Sequence, residues 1–425
     1  MLNKLSIYRI FWGLWFFLLI AKIELVVNSV YFFLFTFWEL VFSSEATLKF
    51  NLQVADLLVS ILLLVFLPIL VYWLKRKSKI FNTKIGFSSF TFLLLIFALL
   101  FAPIISSFHP NAQLSVRASR FLNPLSTITI LRLKGIASNS EYLKLRDEVI
   151  KSSVNSNKIF VNSFKKDGQN IYYRQGNKVS KIALNKLITK EEEPAITKKI
   201  LLFGTDELGR DIFSRIIYGA RVSLFIAFFS VVISLLIGLL LGYAATSIGG
   251  IFNLILSRIT DMFLTIPSIF FVIMILAFWG NSIFAVIMVL GLTGWMNLFK
   301  IVKGEVSSVI KKDYYLTSKK IGLSSWELLT KEILPILATQ LIIFSVFQFS
   351  NVILAEASLS YLGLGVGLNY PSWGNMILSG QKYMSSGAWL IIIPSIILVL
   401  SILVINDFGE KIKNIMNPRI SNDKQ

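Results

Sequence analysis

The sequence contains no cysteine, a single histidine, His109, and only 23 acidic residues among its 425. Without thiols the chain has no disulfides, iron–sulfur clusters or thiol nucleophiles, and its redox compartment stays undetermined. One histidine cannot build a histidine-rich metal site, so His109 is interpreted as structural and no metal site is predicted. Charged residues make up only 15% of the chain, too few to cover the surface of a soluble protein this apolar.

What the sequence does contain is apolar: 55% of its residues are hydrophobic, and they are gathered in long blocks. About 20 apolar residues cross a hydrocarbon core of roughly 30 Å as a helix. A residue stretch before position 20 is predicted to lie at the membrane interface, and a signal peptide over 1–21 is the alternative, although no small-x-small cleavage pattern follows. Eight crossings are predicted, near 20–42, 56–74, 87–106, 221–243, 262–280, 282–299, 336–356 and 388–406.

Basic residues predict the orientation of these crossings. Lys and Arg crowd the loop 75–84, the segment 300–335 and the tail, and such clusters mark cytoplasmic loops. Both termini are therefore predicted to be cytoplasmic. The formal net charge of +19 is attributed to these loops and to anionic lipid, so no nucleic-acid partner is predicted.

Residues 107–203 differ from the rest of the chain because they are polar, rich in Lys, Asn and Ser, and too long for a simple connector. Helical spacing predicts a helix over 140–154. Short strands are predicted at 126–133, 158–164 and 170–174, with a hairpin turn at Lys166-Asp167-Gly168. The pattern predicts a small α+β domain outside the membrane.

A first motif precedes the fourth predicted crossing. Thr205 is a favourable N-cap, and Asp206 and Glu207 follow it where the helix dipole favours negative charge. Apolar residues recur behind them at helical spacing, which predicts an amphipathic helix at the membrane surface with its charged residues in water. The candidate functional residues of this motif are Gly204, Thr205, Asp206, Gly209, Arg210, Asp211 and Arg221.

A second motif lies in the basic segment between the sixth and seventh crossings. Gly322 allows a sharp turn there, and Pro335 cannot continue the preceding helix. By themselves these features fit an ordinary amphipathic loop helix. The candidate functional residues of this motif are Tyr315, Leu316, Thr317, Ser318, Gly322, Leu334 and Pro335.

A third motif lies between the last two crossings. Glu356 is an acid at the outer end of a helix, where burial is costly unless the carboxylate is paired or hydrated. Gly363 and Gly365 allow a re-entrant turn that lines a cavity. With Trp373 they are interpreted as a gate or vestibule wall, and a rigid plug is an equally good alternative.

Together the motifs resemble the permease subunits of the oligopeptide and dipeptide branch of ABC importers, in particular the second, C-type permease of each pair. The resemblance covers about 85–106 and 200–419. The second motif is similar to the family's EAA loop, and the resemblance implies a short helix parallel to the membrane that docks on an ATPase, although Leu316-Thr317-Ser318 stands where Glu-Ala-Ala is usual.

The resemblance implies an all-α polytopic membrane protein: a type I importer permease core of about six helices, with extra N-terminal helices and a small α+β extracytoplasmic insertion. The domains expected on this basis are an N-terminal membrane segment 1–80, a first core helix 81–106, the insertion 107–203, an interfacial helix 204–220, the transmembrane domain 221–408 and a cytoplasmic tail 409–425.

The resemblance further implies a multi-pass subunit of the bacterial inner membrane that helps import di- or oligopeptides. Its implied partners are a second homologous permease, two cytoplasmic ATPase subunits, an extracytoplasmic substrate-binding protein and membrane lipid. Nickel chelates, glutathione and peptide antibiotics are alternative substrates within the family, and an ion-coupled carrier or channel is the alternative class, although no midplane ionic site or inverted repeat supports it.

The dipeptide Gly-Lys does not occur, so no Walker A loop can cradle phosphates. The chain is therefore predicted to have no ATPase site of its own and to bind no cofactor, and ATP and Mg²⁺ are expected to be used by the partner ATPase subunits.

Overall fold

The computed structural model describes residues 7–23, 26–27, 52–77, 87–134, 158–187, 189–190, 193–194, 196–367 and 370–416. Its helices are α1 Ile7–Ala21, α2 Leu52–Lys77, α3 Phe87–Ile105, α4 Val116–Ser119, α5 Ile212–Ile248, α6 Gly250–Thr265, α7 Ser268–Trp279, α8 Ile283–Val309, α9 Asp313–Lys320, α10 Ser325–Glu327, α11 Leu334–Tyr361, α12 Trp373–Lys382 and α13 Trp389–Met416. Its strands are β1 Ser126–Arg132, β2 Lys158–Val161, β3 Ser163–Asp167, β4 Asn170–Gln175, β5 Lys178–Ala183, β6 Thr189–Lys190, β7 Glu193–Pro194 and β8 Ile196–Leu201.

Helices α5 and α8 form the centre of the helical bundle, because small residues on α5 let the two backbones come close. A β-carbon at Gly238 would lie 2.8 Å from Leu298 of α8, and Gly242 meets α8 one turn further on. The hydroxyl of Ser234 donates a hydrogen bond across the interface to the carbonyl of Gly291, over 2.8 Å. The Gly238-x-x-x-Gly242 spacing therefore lets α5 and α8 pack closely.

The apolar blocks of the sequence are helical, but fewer of the helices than predicted have the length of a span. Among the described residues four do, namely α5, α8, the helical run Ser325–Tyr361 and α13, with α6 and α7 as a fifth if that bent pair counts as one. The predicted eight crossings are therefore not reproduced. Helix α1 and the apolar parts of α2 and α3 are shorter, and the predicted crossing at 20–42 lies mostly outside the described residues.

The predicted crossing at 262–280 is wrong as a single straight helix, because α6 and α7 meet at an angle of 89°. Ile266, between them, is extended at φ −95° and ψ 128°. The residue before a proline avoids the helical region, and Pro267 itself has no N–H to donate, so the helix breaks here.

The N-terminal helices α1 and α2 pack against α3 through a cluster that contains Phe97 and Phe101. The indole N–H of Trp15 donates to the carbonyl of Leu64 over 2.8 Å, which ties α1 to α2. Helix α3 in turn lies against α5 and α13, so the N-terminal helices cover one side of the bundle.

The segment between α3 and α5 folds into small antiparallel sheets, as its strand pattern predicted. In one, β1 pairs with both β2 and β8, and in another β3, β4 and β5 form a meander. Gly168 makes the predicted hairpin turn at φ +56°. The predicted strand 158–164 is interrupted at Asn162, whose carboxamide bonds the Ala118 carbonyl and the Gly176 N–H. The predicted helix at 140–154 lies outside the described residues.

Candidate functional site

The first motif is a loop and not the predicted interfacial helix. Helix α5 begins only at Ile212, and Asp211, not Thr205, is its N-cap, accepting the Ser214 N–H over 3.0 Å. Burial raises the pKa of the Asp211 carboxyl above its ordinary value, against the hydrogen bonds from Ser214. Arg215 and Asp211 are buried rather than in water, so the amphipathic interpretation was wrong at these positions. The apolar residues at helical spacing suggested a separate surface helix, but those from Ile212 onward belong to the first turns of α5.

Asp206 is the centre of the loop's hydrogen bonds. Its Oδ1 accepts the backbone N–H groups of Leu208 (3.0 Å) and Arg210 (2.8 Å), and its Oδ2 accepts the Arg210 Nε–H at 2.7 Å. The guanidinium of Arg215 lies 3.6 Å from the same oxygen. Both Asp206 and Arg215 are nearly inaccessible to solvent, so each charge depends on the other groups of this network.

The same loop holds the insertion against the bundle. The Thr205 hydroxyl oxygen accepts the Leu122 N–H at 2.9 Å and donates to the Ser119 carbonyl. Gly204 has φ +75°, and a β-carbon there would strike the Leu122 carbonyl, so only glycine fits this close approach. Gly209 packs in the same way against Ser119. The motif is thus the joint between the insertion and α5.

Arg221 stands apart from the rest of the first motif. It lies on α5, where its guanidinium pairs with the carboxylate of Asp56 on α2. Both side chains are partly exposed. Sequence reasoning placed Arg221 with the loop, whereas the structure makes it the contact between α5 and the N-terminal helices.

The second motif lies across the far end of α5 and α8. Tyr315 of α9 is buried, 4% exposed, in a cluster with Tyr243 of α5 and Val306 of α8. Burial, with Tyr243 beside it, raises the pKa of Tyr315 to about 12. The Tyr243 hydroxyl donates to the Ser325 carbonyl at 2.8 Å. The segment is therefore held against the bundle from both of its halves.

Four large apolar side chains of the segment are exposed among its lysines. Tyr314 and Leu316 on α9 are 41% and 42% exposed, Ile321 in the following turn is 74% exposed, and Trp326 on α10 is 66% exposed. Thr317 is exposed beside them, whereas the Ser318 hydroxyl points inward and donates to Glu332 at 2.8 Å. Gly322 makes the turn at φ +97°, where a β-carbon would meet no atom within 4 Å. The strain of a side chain at Gly322 would come from the backbone alone.

Pro335 does not end a helix, which corrects the prediction for this residue. A π-helical turn from Leu328 to Ile333 runs directly into α11, in which Leu334 and Pro335 are the opening residues. The Leu334 N–H bonds the Leu329 carbonyl, five residues back. In this wider turn the missing proline N–H breaks no α-helical ladder, so the chain passes over Pro335 without a break.

Three of the residues of the third motif meet at a packed joint of α5, α11 and α12. The Glu356 carboxylate is fully buried and accepts the hydroxyls of Ser223 (2.9 Å) and Ser360 (2.7 Å). Trp373 is also fully buried, and its indole N–H donates to the Ile216 carbonyl at 3.2 Å. Gly365 packs directly on Ser360.

Gly363 lies at the rim of this joint, at φ +80°, and its carbonyl accepts the Asn281 side-chain N–H at 2.9 Å. The gate or vestibule role of these residues stays a prediction. Sequence reasoning missed a further set of polar residues, Thr293, Asn297, Gln348, Asn351 and Ser358, which line a cleft between α8 and α11. Their only signal in the sequence is polar side chains recurring every three, four or seven residues within two predicted crossings.

Comparison with known proteins assigns this chain to a family. Residues 234–422 match the family model of the binding-protein-dependent transport system inner membrane component. The chain is 34% identical over 221 residues to the di/tripeptide transport system permease protein DppC of Pseudomonas aeruginosa, covering 52% of this chain and 73% of that protein. It is 34% identical over 218 residues to the oligopeptide transport system permease protein OppC of Bacillus subtilis, covering 51% and 72%.

A solved structure of the MetNI methionine ABC transporter in inward-facing conformations is a weaker match. It is 20% identical, with a TM-score of 0.39, and the match covers 48% of this chain and 96% of that one.

Apolar helices of spanning length and the inner-membrane family match define a multi-pass permease component of a binding-protein-dependent transport system. Within that class the chain belongs to the C-type permeases of the peptide ABC importers. The predicted fold class and the predicted role as a permease subunit of a peptide importer are thereby confirmed, and the alternative of an ion-coupled carrier or channel is not supported.

Proposed function

We propose that this permease transmits ATP hydrolysis to peptide translocation through the coupling segment, defined as residues 311–335. In this proposal two cytoplasmic ATPase subunits bind the segment, a second homologous permease completes the pathway, and an extracytoplasmic binding protein delivers the peptide. The chain itself binds no cofactor, and ATP and Mg²⁺ are used in the ATPase subunits.

The observation that carries the proposal is the exposed apolar surface of Leu316, Ile321 and Trp326 on a segment whose other side is buried. Exposed apolar residues grouped in this way mark a protein interface. Because Tyr315 and the Tyr243–Ser325 hydrogen bond anchor the segment to α5 and α8, a push on the exposed side reaches the membrane helices. The missing acid of the usual Glu-Ala-Ala leaves these contacts intact, since Leu316, which stands in its place, is 42% exposed.

The shape of α5 supports opposite sides for the insertion and the coupling segment. The first motif, which holds the insertion, adjoins the start of α5, and Tyr243, which contacts the coupling segment, lies near its end. A helix of 37 residues is about 55 Å long, more than the hydrocarbon core of a bilayer. Because Lys and Arg crowd the loop 75–84, the segment 300–335 and the tail, we place the coupling segment and both termini in the cytoplasm and the insertion outside.

Replacing the apolar surface tests the proposal. In the full transporter, Ile321→Ser with Trp326→Ser should reduce both co-purification of the ATPase subunits and peptide-stimulated ATP hydrolysis, with the amount of permease in the membrane unchanged. Val179→Ser is the matched control, since Val179 is 64% exposed on the insertion. Normal ATPase binding by the double variant would remove the docking role from this surface.

A further inference from the structure

The cleft between α8 and α11 is walled on its third side by the bend between α6 and α7. Its volume is about 530 Å³, within the few hundred to about 1,000 Å³ typical of small-molecule sites. Most of the lining is apolar, apart from Ser268 of α7 and the polar side chains that α8 and α11 contribute, namely Thr293, Asn297, Gln348, Asn351 and Ser358.

The two hydroxyls of this set are satisfied by their own helices. Thr293 donates to the Leu290 carbonyl at 3.2 Å, and Ser358 donates to the Leu354 carbonyl at 2.8 Å. The carboxamides of Asn297, Gln348 and Asn351 have no hydrogen-bond partner within the part of the chain that the structure describes. Polar groups at membrane depth face a bundle interior, a partner or a water-filled path, since lipid cannot satisfy them.

The carboxamide of Gln348 is positioned by a glycine. A β-carbon at Gly294 of α8 would lie 2.5 Å from Gln348 Nε2 and would also strike the Ser234 hydroxyl. Asn351 follows Gln348 by three residues, on the same face of α11. Helices α8 and α11 thus present their carboxamides to one space.

We infer that this cleft binds the main chain of the transported peptide, an inference that rests on the peptide-import function. A carboxamide carries both donors and an acceptor, as a peptide group does, so the three side chains can pair with backbone N–H and C=O groups. Among the described residues that line the cleft none is Asp, Glu, Lys, Arg or His. Recognition therefore ignores the charge of the peptide's side chains, and Phe and Met side chains in the lining, such as Phe263 and Met296, provide adaptable apolar contact.

The test replaces the carboxamides with apolar side chains of similar size, in the complete transporter reconstituted in vesicles. Gln348→Met with Asn351→Leu should lower the uptake of acidic, basic and neutral tripeptides alike, by about tenfold for two lost hydrogen bonds. Gln340→Met is the matched control, because Gln340 is on the same helix but does not line the cleft. The Gln340→Met control should leave both uptake and basal ATP hydrolysis unchanged.

Uptake at the wild-type rate, or a loss confined to peptides with charged side chains, would overturn the inference. Loss of the second permease from the purified double variant would overturn it too, since the cleft would then be a subunit interface. The failure of the wild-type transporter to take up any peptide would instead count against the import function itself.

A cysteine at the cleft gives a second measurement that does not depend on transport. The chain has no cysteine, so Asn351→Cys introduces a single reactive thiol on it. Peptide should slow the labelling of this thiol by a small thiol reagent, and an ester-linked analogue that lacks backbone N–H donors should slow it less. Phe278→Cys, at a position 86% exposed on α7, is the control whose labelling peptide should not change. Equal labelling of Asn351→Cys with and without peptide would overturn the inference.

Discussion

The first motif, at the start of α5, buries its polar side chains, whereas the coupling segment, at the far end of α5, leaves large apolar side chains exposed. At the start of the helix, Asp206 and Thr205 find all their partners within the chain and are buried. At the far end, Ile321 and Trp326 are left exposed on a firmly anchored segment. The first motif therefore serves the fold of its own chain, whereas the exposed apolar side chains of the second are the surface that the proposed ATPase contact would use.

The largest expected effect is an all-or-none difference in accessibility between these ends. Ser163→Cys on β3 of the insertion should react with a membrane-impermeant thiol reagent on intact cells with a permeabilised outer membrane. Thr317→Cys on α9 should react only after the inner membrane is opened. Both side chains are exposed in the structure, so burial cannot explain a lack of labelling. Labelling of Thr317→Cys but not Ser163→Cys on intact cells would invert the proposed orientation.

The sequence predicted much of the fold, for reasons that the elements themselves show. Continuous apolar blocks predicted the helices, because an apolar run is a local property of the sequence. The hairpin at Gly168 was predictable for the same reason, since a turn residue determines its own backbone angles.

What the sequence could not provide were contacts between residues far apart in the chain. By its sequence Thr205 fits an N-cap. In the fold its hydroxyl oxygen instead accepts the N–H of Leu122, which is 83 positions away in the chain. Glu356 was interpreted as part of a gate or vestibule wall. Only the fold brings Ser223, 133 positions away, to donate a hydrogen bond to its carboxylate. The cleft carboxamides were missed because their meaning depends on α8 and α11 facing one space.

Removing the centre of the first motif should cost the most stability. Asp206→Ala leaves the buried guanidinium of Arg215 without a carboxylate and leaves Arg210 with Glu207 alone, which costs about 3 kcal/mol or more. The melting temperature of the purified permease should fall by several degrees. Asp167→Ala, at the exposed end of β3, should leave it unchanged. Equal melting temperatures for the two variants would show that the loop is no structural joint.

Gly322→Val should act on the second motif with little effect on the fold. A β-branched residue at φ +97° strains the backbone by about 1–3 kcal/mol, although no atom stands in its way. The turn should shift, and uptake and peptide-stimulated ATP hydrolysis should be lost while the permease stays in the membrane. Gly249→Val is the matched control, since Gly249 has φ +72° and open space but lies outside the coupling segment. Normal uptake and assembly with Gly322→Val would remove the coupling role from this turn.

The smallest effect expected is that of Tyr243→Phe, which removes one hydroxyl, the donor to the Ser325 carbonyl and a neighbour of the Tyr315 hydroxyl. One such bond is worth about 1 kcal/mol, and the ring stays buried in its cluster, so the permease should assemble and bind the ATPase subunits normally. If that bond makes the segment and α5 move as one body, the number of peptides taken up per ATP hydrolysed should fall, while ATP hydrolysis itself continues. Tyr172→Phe, at an exposed position on β4, is the control and should leave the ratio unchanged. A Tyr243→Phe transporter with an unchanged ratio would mean that the buried cluster around Tyr315 alone carries the connection. A loss of ATPase binding would mean that the bond shapes the docking surface, and the two halves of the segment could then no longer be treated as separately anchored.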